Sequence, residues 1–556
     1  METAARSRKS DDQALDVFLR QSSGLVRELS IFDAAVFGVL ASGLFFSFIY
    51  FFPYPQYITP GINTVLMLVL GTLASLPVII CYAALGSAMP RAGGDYLYDS
   101  RTVSPALGFA IPLGMGAFVW TILFPLGTFV IVSFGLGPVL NAAASQFGIE
   151  TLTGWANALQ GTTGQLITTI VLALLAWLIT IRGVRLYRII QRSVFLPAIV
   201  VTNVALLIQL FVSSNDRFRQ AFDRFPANEA DGITYAGILS TAQQNGWQPP
   251  SFSWGDTLLW IPVMLGVVPF VVYATEGMLG EVKRARDFAR LSRALILGAL
   301  YIGIVVFGLL YFLFERMASQ EFISAASFLV NEEIIALPYD LNITSFSSIV
   351  NDNFFLVLAV SLGFIASAFQ LMTAVMMNET RILVSMGLDR TLPAKFADVN
   401  PRFHAPIFSA TVYVALVLGM TLWFTYAPEW STVFTYLSVY GGQGVLLFGC
   451  LAAFLLPIRA RAIYEASPVA RYHIGRLPLI TVISALGMIL YVASLFVIAT
   501  NDKVGLTGAG LGLPADPRWL LIVPVVFFLA VFFAWQWVER RRGIDTRLVF
   551  EAVPPE

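Results

Sequence analysis

The chain is 556 residues long, with 34 Lys and Arg set against 34 Asp and Glu, so its formal net charge is zero. Only 12% of its residues are charged and 57% are hydrophobic, at a mean hydropathy of +0.76, whereas soluble domains carry about 25% charged residues. These values exclude a soluble globular enzyme and a basic nucleic-acid-binding domain, and they leave an integral membrane protein.

In chain order, residues 1–29 are polar and form an N-terminal tail. The apolar span that follows is longer than the core of a signal peptide, which predicts no cleaved leader. Continuous apolar runs of about 20 residues, the length that crosses roughly 30 Å of hydrocarbon, then recur along the chain. They predict twelve transmembrane helices, at Ser30 to Phe52, Ile62 to Met89, Pro105 to Leu140, Leu166 to Ile181, Leu186 to Val212, Thr257 to Gly280, Leu291 to Phe314, Phe354 to Met377, Ile407 to Tyr426, Thr432 to Leu456, Leu479 to Thr500 and Leu520 to Val538. The runs do not alternate with period two, so the predicted class is an all-α polytopic membrane protein and not a barrel.

Direction follows from the basic residues. With a cytoplasmic N-terminus, only Arg217, Arg219, Arg224, Arg316, Lys503 and Arg518 of the 34 Lys and Arg fall outside. The positive-inside rule therefore predicts a cell-membrane protein with both termini cytoplasmic, the C-terminal tail being 539–556. Taken as two groups of five, the first ten spans form an inverted repeat, 30–212 and 257–456, because an odd number of crossings reverses the second group. The first helix of each half carries mid-depth interruptions: Gly38 and Ala41-Ser42-Gly43 in one, Gly266, Pro269, Gly277 and Gly280 in the other. Such glycines serve either as close-packing surface between helices or as true breaks, and a helix broken there would free N–H and C=O groups able to hold a zwitterion. Spans eleven and twelve, 479–538, lie outside the repeat. Between spans, the long outer loops Ser213 to Asp256 and Glu315 to Asn353 read as surface loops, the first with Trp247, Trp254, Pro249 and Pro250 as a candidate lid.

Three separated segments carry a family signal. Met89-Pro90-Arg91-Ala92-Gly93-Gly94-Asp95-Tyr96-Leu97-Tyr98 is a polar hinge between two spans. Gly280-Glu281-Val282-Lys283-Arg284-Ala285-Arg286 follows the sixth. Asn378-Glu379-Thr380-Arg381 leads through Ser385-Met386-Gly387-Leu388-Asp389-Arg390-Thr391-Leu392-Pro393 to Val399-Asn400-Pro401-Arg402. In order and spacing they resemble the amino acid permeases of the amino acid-polyamine-organocation (APC) superfamily. The resemblance implies the leucine-transporter-type core of ten helices in a 5+5 inverted repeat plus two extra helices, and alternating-access transport of amino acids or related amines. It also implies a substrate carboxylate at Ala41, Ser42 and Gly43, an amine at the carbonyls of Val271 to Thr275, including Tyr273 and Ala274, and a cytoplasmic gate loop at Arg91, Gly93 and Gly94. Two departures stand out: Ala41 replaces the usual first glycine of the carboxylate nest, and Lys283-Arg284-Ala285 replaces Lys-Asn-Pro.

Other single residues are read beside their blander accounts. Glu276, an ionisable group inside a span at a cost of about 2.5 kcal/mol or more, carries a coupling proton, binds an amine, or pairs with a base at the interface. Ser361, Ser367 and Thr373 are hydroxyls for a sodium ion or bond back to their own helix. Met115, Phe270, Tyr273, Phe364 and Phe369 line a pocket or simply pack. Arg188 and Arg192 snorkel to the interface, and Asp33 and Glu379 are interfacial charges, Glu379 a candidate partner of Arg381. Cys81 and Cys450 read as packing residues.

No cofactor or metal is expected, since the two histidines, His404 and His473, lack ligand spacing. The expected partners are membrane lipid, a small amino acid or amine, and a proton or sodium ion, without nucleic acid; the sequence does not fix an oligomeric state. A membrane enzyme lacks a reactive constellation. A transporter-like nutrient sensor and a sodium symporter of another organic solute remain as rivals.

Overall fold

A computed structural model describes residues 24–42, 53–339, 341–351, 353–427, 431–504, 518–543 and 547–550. Eleven of the described helices are long and apolar enough to cross a membrane: α2 (Thr64–Ala88), α3 (Pro105–Phe147), α4 (Thr162–Ile181), α5 (Val184–Val212), α6 (Trp254–Val272), α7 (Phe288–Ala318), α8 (Phe354–Leu388), α9 (Ile407–Tyr426), α10 (Ser431–Arg459), α11 (Leu479–Thr500) and α12 (Trp519–Arg541). The first apolar helix, α1 (Ile31–Ala41), is 11 residues long, about 16 Å and half a bilayer core. Residues 43–52, the rest of the first expected span, lie outside the described residues.

Burial sorts these helices. The most apolar stretch of α3 is 83% buried and that of α6 67% buried, against 22% for α4, 28% for α11 and 11% for α12. The outward faces of the latter carry Val171, Leu175, Ile489, Phe496, Val526 and Phe533, as a lipid solvent requires. The most enclosed of these helices are therefore α3, α6 and α10, followed by α7 and α8, with α4, α11 and α12 outermost.

Local chemistry sets the helix starts. Ser30 caps α1 in a reciprocal box with Asp33: the Asp33 N–H donates to Ser30 Oγ at 3.1 Å and the Ser30 N–H to Asp33 Oδ2 at 2.9 Å. Arg192 at the start of α5 grips the same carboxylate from Nε and Nη2 at 2.7 and 2.8 Å, and Arg188 donates to the Glu28 carbonyl at 2.5 Å. The two arginines expected to snorkel instead hold the entry of α1, because Glu28 and Asp33 supply anions there. Leu29 then pairs in parallel with Val282, its N–H on the Glu281 carbonyl at 3.0 Å.

Thr202 joins α5 to α8. Its Oγ1 donates to the Ala359 carbonyl at 2.6 Å and accepts the Gly363 N–H at 2.8 Å, a contact that requires glycine, since a Cβ on Gly363 would lie 2.3 Å from that hydroxyl.

The two long loops at the end opposite the Arg91 loop are not loose. They fold into short helices, among them Asn215–Asp223, Tyr235–Gln244, Gln320–Asn331 and Ile343–Val350. These share an aromatic core in which Tyr235 stacks on Phe322 at 4.3 Å beside Phe218, Phe222 and Phe346. Trp247 is buried in this cap with its Nε1–H on Ser324 Oγ at 3.1 Å, while Trp254 is exposed. Thr202→Val keeps the shape but leaves buried backbone groups of α8 unmatched, at a cost of about 1–3 kcal/mol; thermal unfolding in detergent should show a lowered melting temperature and an otherwise native α-helical signal.

Candidate functional site

The sequence breaks α6 at its centre. Pro269 has no N–H to return to Leu265, and the helix passes from Ile261–Val267 into a tight turn, Val268–Val272, before resuming at Tyr273–Gly277. Side chains from neighbouring helices take up carbonyls along it. Tyr491 of α11 donates to the Leu265 carbonyl at 3.1 Å, Gln443 of α10 to that of Pro262 at 2.6 Å, and Tyr98 to that of Thr275 at 2.8 Å. Facing this break, α1 ends at Ala41; the Ser42 N–H returns to the Gly38 carbonyl and its hydroxyl donates to the Val39 carbonyl at 2.6 Å. Gly38 lets the two broken helices touch, for a Cβ there would lie 1.9 Å from the Val271 oxygen. Ala41, Ser42, Val271, Tyr273 and Thr275 thus belong to one seam. Gly43 lies outside the described residues.

Aromatic rings wall the seam. Trp120 of α3 lies 5.6 Å from Phe270 and 5.1 Å from Tyr273, ring centre to ring centre, and Phe37 of α1 stacks on Tyr273 at 6.5 Å. Trp120 is anchored by its Nε1–H on the Ser438 carbonyl of α10 at 3.2 Å. Met115 packs on Gly441 and Gly444 of α10. Of the other pocket candidates, Phe364 is fully buried and Phe369 meets Phe195 of α5 at 6.1 Å.

The three proposed hydroxyls of α8 do not converge. Thr373 bonds back to the Phe369 carbonyl at 2.9 Å. Ser361 lines a small cavity with Gln209 and Ser347, and Ser367, six residues on, points about 120° away round the helix. Sequence reasoning missed Gln370, which donates at 2.8 Å to Tyr187 of α5 and at 3.4 Å to the Phe37 carbonyl of α1, tying three helices beside the seam.

Below the seam sits the Arg91 loop. Gly93 has φ +89° and opens a helix, Gly94–Thr102. The loop is wedged backbone to backbone against the α6 exit: the Gly93 N–H donates to the Gly277 carbonyl at 3.2 Å, and a Cβ on Gly94 would lie 2.0 Å from the Glu276 oxygen. On its other side Ser385 of α8 donates to the Ala92 carbonyl at 2.7 Å. Arg91 itself reaches the Pro90 carbonyl at 3.2 Å.

Charges are buried around this wedge. Arg381 pairs with Glu281 at 2.8 Å, and Arg101 with Asp389 at 2.5 Å, all four side chains being 0–1% exposed. Glu379 does not pair with Arg381. Two residues apart they face different sides of α8, and Glu379 instead accepts the Tyr273 hydroxyl at 2.8 Å. Glu276 is 3% exposed and its Oε2 meets no donor, so an interfacial ion pair is not its role among the described residues. Asp95 accepts the Tyr82 hydroxyl at 2.7 Å; burial pushes its carboxyl up to about 8, although that hydrogen bond pulls the other way.

At the opposite end a cleft of about 740 Å³ opens above α6, lined by Tyr57, Trp247, Asp256, Glu332, Asp502 and Lys503 among others. Cys81 and Cys450 are both buried and free.

A family model described as amino acid permease matches residues 29–511. No curated protein matches the chain. If the wedge is as tight as the Gly94 contact makes it, Gly94→Ala should lower the yield of folded protein or its melting temperature in detergent far more than Gly419→Ala in α9, whose added Cβ meets nothing within 4 Å.

Proposed function

Because this chain belongs to the amino acid permease family, we propose that it is a secondary active transporter that moves amino acids or related amines across the cytoplasmic membrane by alternating access. The observation that carries this reading is the seam, where α1 ends at Ala41 against the break of α6 at Val268–Val272. Broken helix ends at mid-depth give free N–H groups for a carboxylate and free carbonyls for an ammonium. Ala41, Ser42 and Gly43 take the carboxylate. The carbonyls of Phe270, Val271, Tyr273, Ala274 and Thr275 take the amine, and Met115 belongs to the surrounding wall. Trp120 and Phe37 shape the space left for the substrate side chain, with Trp120 the strongest determinant because its ring touches both aromatic residues of α6.

The architecture proposed is twelve helices, with 30–212 and 257–456 as two inverted five-helix units and 479–538 as the added pair. The matching interruptions of α1 and α6, the first helices of the two units, support it. The basic residues support a cytoplasmic Arg91 loop and cytoplasmic tails, 1–29 and 539–556. In that orientation the acidic cleft is the outer vestibule and the wedge of Gly93 and Gly94 is the inner gate. Substrate enters from the vestibule while the wedge is seated, and leaves when the loop parts from α6 and α8.

The driving ion is a proton, with Glu276 as its carrier, or the transporter works by exchange. A sodium site at Ser361 and Ser367 finds less support, since the two hydroxyls point apart.

Liposomes holding the purified protein, offered labelled amino acids and polyamines with a proton gradient, a sodium gradient or neither, test the reading. Saturable uptake of an amino acid is expected, and absence of both uptake and exchange for every solute would overturn it. Trp120→Ala should raise the KM of that uptake roughly ten-fold as its wall of the site is lost, measured on protein whose thermal unfolding matches the native chain.

A further inference from the structure

Four carboxyl groups surround the inner wedge with no positive partner. Asp95 and Asp99 lie on the helix that the Arg91 loop opens, Glu276 on the α6 exit and Glu379 on α8, and each is at most 3% exposed. Both oxygens of Asp99 and one each of Glu276 and Glu379 meet no donor. Arg101 and Arg381 are the arginines buried among the described residues, and each is engaged by another carboxylate, Asp389 or Glu281. Glu276 lies within electrostatic reach of both Asp95 and Glu379, and Asp95 within reach of Asp99. The remaining titratable neighbours are tyrosines and a cysteine: Tyr82 and Tyr98 face Asp95 and Glu276, Tyr273 and Tyr413 face Glu379, Tyr491 of α11 faces Glu276, and Cys450 of α10 faces Asp99. No cation is supplied from any packed element among the described residues. A set of ionised carboxylates cannot remain so buried without one, since each would carry several kcal/mol of uncompensated desolvation. Among the described residues no three His, Cys, Asp or Glu groups converge as metal ligands, so the cluster suits protons and not a metal ion.

One residue joins this cluster to the seam. The Tyr273 ring stands in the aromatic wall between Phe37 and Trp120, while its hydroxyl donates to Glu379. Any substrate that shifts the ring shifts that hydrogen bond as well.

We infer that Asp95, Glu276 and Glu379 form one proton-binding cluster whose protonation seats the inner wedge, and that Tyr273 ties this protonation to occupancy of the seam. The inference rests on the transporter reading and names its coupling ion. When the wedge is seated, each carboxylate takes one proton and is buried as a neutral acid; when the loop parts, water reaches the group and the proton leaves to the cytoplasm. The sign follows from linkage. Asp95, at about 8 when packed and at its ordinary 3.8 when hydrated, favours the seated wedge fully below the lower value, and that preference is lost as pH rises through about 8. Protonation therefore holds the gate closed, and an acid outer solution drives uptake by loading the seated cluster from the seam side, past Tyr273 to Glu379, before the loop parts and the proton leaves to the cytoplasm.

The test compares the native chain with Glu276→Gln, Glu379→Gln and Tyr273→Phe in liposomes given a labelled mixture of the standard amino acids. The readout is uptake with an acid-outside gradient divided by uptake without one, so that a general loss of activity cancels. The native ratio should be at least ten, and either glutamine variant should bring it close to one. A second readout, proton uptake per amino acid bound by detergent-purified protein followed with a pH dye in weak buffer, should be present in the native chain and abolished in Tyr273→Phe. Native ratios in both glutamine variants, or a native dye signal in Tyr273→Phe, would overturn the inference. Native exchange that ignores a proton gradient and gives no dye signal sinks the inference alone, whereas absence of any uptake or exchange sinks the transporter reading with it.

Discussion

The close approach of glycine backbone to the two broken ends of α6 is the constraint on which the rest of the molecule depends. Gly38 meets the Val271 carbonyl at the upper break and Gly94 meets the Glu276 carbonyl at the lower one, and neither position has room for a Cβ. Along its length α6 is held by neighbours that take its carbonyls: Gln443 and Tyr491 before the upper contact, and Tyr98 between the two. A helix interrupted in the middle of an apolar bundle survives only when every freed backbone group finds such a partner. In the proposed transporter the same interruption offers its remaining dipoles to a small zwitterion, so that packing and binding share one solution.

The buried charges follow from that geometry. Because the loop after α2 must press on the α6 exit and on α8, the polar residues of three elements are brought together out of water. Glu281 and Arg381 neutralise each other, as do Asp389 and Arg101. The carboxyls left over concentrate at the seated wedge, where a change of protonation changes the stability of the contact. An energetic liability in a rigid protein becomes a lever in one whose gate must open.

Much of this was legible in the sequence, and what was not has a common cause. Most expected spans matched described helices within a few residues at most of their ends, because an apolar run of about 20 residues has few alternatives. The helix α8 departed most, running on to Leu388, followed by α6, whose apolar run ends at Val272, and α3, which runs on to Phe147, while the second half of the first span lies outside the described residues. The motif around Arg91 named the loop that forms the wedge, since paired glycines at a membrane edge announce a tight backbone approach. Trp120, Gln370 and Gln443 were missed because their partners lie on other helices, at Ser438, Phe37 and Pro262, and a single sequence carries no sign of such pairings. Glu379 was misjudged as a surface partner of Arg381 for want of helical phase: two residues apart, they face different sides. The long outer loops looked irregular because their helices are short and their aromatic core, Phe218, Phe222, Tyr235, Phe322 and Phe346, is drawn from both loops.

The claim that the Arg91 loop is a gate seated on α6 and α8 is tested most directly by distance. Arg91 on the loop is partly exposed and Lys283 at the α6 exit is exposed; with Cys81 and Cys450 replaced by alanine, cysteines at these two positions can carry spin labels. Pulsed dipolar spectroscopy on the protein in lipid should give two distance populations, with the shorter gaining when a saturating amino acid mixture is added. One narrow population, unchanged by amino acids and by pH, would contradict the account.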